Sequence, residues 1–202
     1  MWNRVVSYLL SLLSFFYQAI VPCPFPELLP ANTIDHQQYL GKWYFRAAVS
    51  RYEAQIAKFQ PLDSLWFNME RSGNGTLLLT GHAHMKGICI EETWTYRIHT
   101  DRHDLEQEGK PSRRSLLWSG RWADCGECII LQEIEPPLSP SDSEDSLNRF
   151  LLYARRSDVD PGVVAAFLKR TACNDMLASV TLPQEKGLVP ARSHYLSAQE
   201  QA

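Results

Sequence analysis

Residues 88–99 alternate without a break. The even positions hold Ile88, Ile90, Glu92, Trp94, Tyr96 and Ile98, and the odd ones Cys89, Glu91, Thr93, Thr95, Arg97 and His99. A strand sends successive side chains to opposite faces, so one face here is aliphatic and aromatic, interrupted by a single acid. A solid interior rarely takes an unpaired carboxylate, because burying that charge alone is very costly. The pattern therefore favours a strand lining a cavity over one packed inside a β-sandwich.

Short segments of the same kind surround it. Strands are predicted at 37–49, 65–71, 76–85, 105–108, 115–122, 128–135 and 149–155, with a possible addition at 176–182. Ser72-Gly73-Asn74-Gly75 reads as a hairpin turn. Residues 50–59 read as a short helix capped by Ser50 and ended by Pro61, and 161–170 as a helix with proline in its first turn. Consecutive hairpins with one late helix predict an all-β, eight-stranded antiparallel up-and-down barrel with a C-terminal α-helix. Gly41-Lys42-Trp43-Tyr44 opens the first strand. The glycine permits a sharp bend at the floor, and the tryptophan fills the narrow end, leaving the other end open.

The chain has 202 residues. Setting aside a leader and a tail leaves roughly 150–160, enough for one domain. The segment 1–22 carries only Arg4 as a charge and is almost wholly apolar from Val5 to Val21. It reads as a secretory leader, but the residues before Pro22-Cys23 make a poor cleavage site, so a retained signal-anchor helix is expected. At 1.5 Å per residue it spans roughly 25 Å, short for a bilayer core of about 30 Å and better suited to one lipid leaflet. Ordinary cleavage is the alternative, and a mature start near Cys23 would establish it. Residues 23–185 form the expected domain and 186–202 a flexible tail. A net charge of -3 without any basic run argues against nucleic-acid binding.

Secretion sets how Cys23, Cys89, Cys125, Cys128 and Cys173 are read. Five is odd, so one thiol is free or pairs between molecules. Cys125 and Cys128 flank a turn, and a local bridge is expected there. A redox or zinc role is disfavoured because no helix follows and no second ligand pair is visible. A bridge between Cys23 and Cys173 would tie both ends of the chain to the wall.

Together these features resemble the lipocalins. Gly41-Lys-Trp43-Tyr44-Phe45 fits the family's first motif, and Arg155 or Arg156 resembles the arginine that packs across that tryptophan. Leu65-Trp-Phe67-Asn68-Met69, Met85-Lys86-Gly87-Ile-Cys89, Asp104-Leu105 with Glu108-Gly109, Arg149-Phe-Leu-Leu-Tyr153 and Thr171-Ala-Cys173 extend the likeness to about residue 185. They are similar to the branch that carries sphingosine 1-phosphate on high-density lipoprotein. The resemblance implies a secreted, monomeric lipid carrier without a cofactor, held to lipoprotein surface lipid by its uncleaved leader. It also implies ligand contacts at Trp94, Tyr96, Lys110, Glu133, Arg149 and Tyr153, and a floor of Gly41, Trp43 and Arg155. Of the family's three disulfides, only Cys23–Cys173 keeps both partners.

Two positions depart from that pattern. Lys110 replaces an arginine and meets a phosphate as a point charge, without a two-pronged grip. Glu92 stands where the family has another arginine. It is expected either to pair with Lys110 or Arg149 and weaken phosphate binding, or to engage a lipid amine. Arg149 and Arg155 lie about 20 Å apart along one strand, so one should face the headgroup while the other closes the floor.

Other readings compete. His82-x-His84 has metal-ligand spacing, but Leu77, Leu79, Ala83 and Met85 claim the inward face, so no metal is expected. Asn74-Gly75-Thr76 is a glycosylation sequon at a turn. Some lipocalins isomerise lipids with a pocket cysteine. Cys89 alternates away from the aromatic face, and no histidine base is placed there, so the chain is not expected to be an enzyme. A generic retinoid or fatty-acid carrier would want a more apolar pocket.

Overall fold

The computed structural model of the chain describes residues 6–8, 10, 11, 23, 25–30, 37–73, 75–99, 101–136 and 147–182. Its strands are β1 (Gly41–Ser50), β2 (Ser64–Arg71), β3 (Thr76–Met85), β4 (Ile88–Ile98), β5 (Leu105–Gln107), β6 (Arg114–Ser119), β7 (Cys128–Glu135), β8 (Leu147–Ala154) and β9 (Ala178–Thr181), with helix α1 (Pro161–Ala172) before the last. Each of β1–β7 pairs antiparallel with the next, and β8 returns to β1 to close the barrel. The closure is a shared edge. Gly41–Tyr44 pair with β2, and Ala47–Ser50 pair with β9.

That sharing depends on a bulge at Arg46. Between Phe45 and Ala47 the register with β8 shifts. An extra residue in a strand reverses which side chains face inward. Before the shift Trp43 and Phe45 point into the barrel; after it Ala48 does, while Ala47 and Val49 turn outward. The outward pair joins Ile130, Phe150 and Leu152 in a second apolar layer, on which α1 lays the fully buried Phe167. Asp160 caps α1 by accepting from the Gly162 N–H at 2.7 Å, and Pro161 sits at its first turn. Disulfides join Cys23 to Cys173 just past α1 and Cys125 to Cys128 at the start of β7. Cys89 is a free, exposed thiol.

Several boundaries differ from the sequence expectation. Residues 37–39 form a turn, and β1 starts at Gly41. No capped helix spans 50–59. Ser50 ends β1, its hydroxyl donating to the Asn148 carbonyl at 2.7 Å, and two 3-10 turns follow, Glu53–Gln55 and Ala57–Phe59. Ladder pairing to Arg149 outcompetes the cap. The strand expected at 115–122 stops at Ser119, because the chain turns through a 3-10 segment, Gly120–Ala123, that carries Trp122 under α1. A Cβ on Gly120 would collide with the Cys128 backbone. Helix α1 runs two residues beyond its expected end, to Ala172.

Of the leader, only Val6, Ser7, Tyr8, Leu10 and Ser11 are described, and they are helical and exposed. The rest of the leader, Asn74 and the tail lie outside the described residues. No helix among the described residues is long and apolar enough to cross a membrane.

Candidate functional site

At the floor, Gly41 takes a φ of +91°, which L side chains rarely adopt. The bend lets Trp43 plug the narrow end, 3% exposed, its indole donating to the Tyr39 carbonyl at 2.8 Å. The Arg155 guanidinium lies 3.8 Å over that ring and donates to the carbonyls of Leu40, Lys42 and Gln38. Arg156 instead turns outward to Asp158. Arg155 is therefore the floor arginine.

Above this plug the barrel holds a cavity of about 340 Å³. Its lower wall is apolar, with Phe67, Leu79, Leu131, Leu151, Tyr96 and Tyr153. Both phenols have pKa values pushed well above the ordinary tyrosine range by burial, with the Glu133 charge adding to the effect. Strand β4 descends from the mouth in the expected order: Ile90 and Glu92 exposed, Trp94 half-buried, Tyr96 buried. The Trp94 ring lies across Gly81, where a Cβ would come within 2.5 Å of it. Gly81 is thus the space that admits the indole, and a glycine within a strand is its only sequence signal.

The upper wall is charged. Lys58, Glu92, Lys110, Arg113, Glu133 and Arg149 all line it. Arg149 is 4% exposed, not a rim charge in water. Its Nε donates to Glu133 Oε2 at 2.5 Å, its Nη2 reaches the same oxygen, and its Nη1 donates to the Gln55 carbonyl at 2.7 Å. The expected pairing of Glu92 with Arg149 is therefore not formed, because Glu133 lies directly opposite Arg149 in the β7–β8 ladder. Nor does Glu92 pair with Lys110. Its Oε1 accepts from the Trp94 indole N–H at 3.0 Å. Arg113 pairs with Glu135 at 2.5 Å.

The segment between β1 and β2 forms a flap over the mouth. Phe59 stacks on Phe45 with centroids 5.0 Å apart, and the Arg149 guanidinium lies 5.1 Å from its ring. Gln55 accepts from the Asn148 N–H at 3.1 Å and meets the Ser50 hydroxyl. Sequence reasoning missed Lys58, Phe59, Gln107 and Arg113 as lining residues. Lys58 and Phe59 fall in the helix expected over 50–59, and Arg113 falls between the strands expected at 105–108 and 115–122.

Cys89 does not line the cavity. His82 stacks on Trp66 and faces Glu91 at 3.3 Å, while His84 faces Asp63 at 3.0 Å, so the two imidazoles answer to separate carboxylates.

The ApoM domain family model matches residues 1–191. Mouse apolipoprotein M is 29% identical, aligned over 96% of this chain and its own full length, and the rat protein is 27% identical over the same shares. Among solved structures, the siderocalin Ex-FABP matches with a TM-score of 0.55 at 18% identity, over 73% of this chain and 95% of its own. Siderocalin Q83 matches with 0.56 at 17%, over 77% and 96%. The structural likeness establishes the barrel, and the family model goes further: the chain belongs to the apolipoprotein M family, built on the lipocalin barrel.

Proposed function

We propose that the protein is a secreted carrier of one single-chain amphiphile, with sphingosine 1-phosphate as the ligand class, and that it resides on high-density lipoprotein through a retained leader. The observation that carries this reading is the two-zone cavity. A long alkyl tail suits the wall of Phe67, Leu79, Leu131 and Leu151, while a charged head suits the ring of cations and acids above it. Retinoids and simple fatty acids have no group for Glu92. A zwitterionic head has one: the carboxylate accepts the Trp94 indole N–H through one oxygen and can face an ammonium. Two disulfides agree with an oxidising compartment.

Competition tests the ligand. Sphingosine 1-phosphate should quench the Trp94 component of fluorescence and displace retinol from the barrel. A retinol signal untouched by excess sphingosine 1-phosphate overturns the headgroup assignment. Residence on lipoprotein is tested separately, by whether a chain starting at Cys23 leaves the high-density fraction of plasma.

A further inference from the structure

We propose that Lys58, on the flap between β1 and β2, is the principal contact for the anionic headgroup, a role that nothing in the sequence pattern assigned to it. The inference rests on the carrier reading and deepens it.

The argument begins with which mouth cations are already engaged. Among the described residues, four line the cavity: Lys58, Lys110, Arg113 and Arg149. Arg149 directs donors from all three guanidinium nitrogens at Glu133 and the Gln55 carbonyl. Arg113 faces Glu135. An arriving phosphate would have to break a buried ion pair to recruit Arg149, and truncating or displacing one partner of such a pair is strongly unfavourable. Among the described residues, Lys58 and Lys110 have no carboxylate within ion-pair distance.

Position separates those two lysines. Both are exposed, and Lys110 lies in the connection between β5 and β6. Lys58 immediately precedes Phe59, which is 5% exposed and stacked on Phe45 at the top of the apolar interior. Its ammonium sits 5.1 Å from the Phe59 ring. A tail packed beneath Phe59 therefore delivers its head to Lys58. The surroundings point the same way. Lys58 is open to the mouth, and its pKa is lowered first by the protein packed around it and then by the Arg149 charge, with Glu133 and Glu92 pulling the other way. A cation partly stripped of water gains more from an incoming anion than one standing in free solvent. The flap that carries it is pinned by Gln55 to Arg149 and Asn148, so the ammonium is held over the opening by a braced segment. In this arrangement Glu92, on the facing β4 wall, takes the ammonium end of a zwitterionic head while Lys58 takes the phosphate.

The test compares sphingosine 1-phosphate with sphingosine on the full chain, by tryptophan quenching. Lys58→Gln should weaken sphingosine 1-phosphate by at least about tenfold, the size of one charge-assisted contact, and change sphingosine less than about twofold. Lys58→Arg should restore most of the loss, since it keeps the charge. Unchanged sphingosine 1-phosphate binding in Lys58→Gln, while the wild-type protein binds it, overturns the Lys58 assignment and leaves the carrier reading intact. Equal weakening of both lipids, not restored by Lys58→Arg, also overturns it, because the flap would then act through packing alone. A wild-type chain that binds neither lipid overturns both readings.

Discussion

Replacing Glu133 by Gln is the sharpest perturbation of the mouth. Glu133 and Arg149 are 7% and 4% exposed, and the carboxylate is the only acid within ion-pair reach of that guanidinium among the described residues. The amide keeps the shape but removes the charge, leaving Arg149 buried with the Gln55 carbonyl as its remaining strong acceptor. Breaking one partner of a buried pair costs about 3–5 kcal/mol. The glutamine oxygen still accepts a hydrogen bond, which places this variant near the low end, about 3 kcal/mol. With a urea slope of roughly 2–3 kcal/mol per molar, the unfolding midpoint should fall by about 1 M. Removing both charges together, as Glu133→Leu with Arg149→Met, should cost less than the single change, because a well-packed apolar pair substitutes for a buried ion pair at little net cost. Equilibrium urea unfolding followed by tryptophan fluorescence gives the midpoints of the wild type, Glu133→Gln and the double variant. A loss under about 1 kcal/mol in Glu133→Gln, or a double variant that loses as much as Glu133→Gln or more, would refute the account of the mouth as braced by this pair.

Three further outcomes are expected. Glu92→Gln should weaken sphingosine 1-phosphate by about tenfold, the size of one charge-assisted contact to the lipid ammonium. Unchanged or tighter affinity by titration counts against it. The raised pKa values of Tyr96 and Tyr153 mean that the folded chain keeps protons that the unfolded chain releases above about pH 10. Stability should therefore be full below that pH and fall as pH rises past it, with a shallower fall in Tyr153→Phe than in the wild type by urea midpoints at about pH 9 and about pH 11. Iodoacetamide without reductant should label one cysteine, Cys89, and all five only after reduction, as read by intact mass.

The barrel was legible because period-2 alternation is a local signal. Ile90, Glu92, Trp94 and Tyr96 line the cavity from rim to interior in sequence order, and Gly41, Trp43 and Arg155 meet at the floor. What stayed hidden depends on register or on irregular backbone. Glu133 and Arg149 were both visible, but their pairing follows from the register of β7 against β8, which the spacing of the two residues in sequence does not set. The parity switch at Arg46 was masked because Phe-Arg-Ala-Ala-Val-Ser reads equally well with either set inward. Lys58 was missed for a similar reason: two 3-10 turns replace the helix expected there, and their facing is set by contacts from Asn148 and Arg149, far away in sequence.

The claim on which everything else depends is that the space above Trp43 holds one charged amphiphile. Lipid mass spectrometry of the protein purified from a secreting cell measures this directly. The expected result is close to one single-chain lipid per protein, bearing an anionic head and retained through a high-salt wash. Recovery of no lipid above the buffer blank, or only of uncharged lipid, would contradict it.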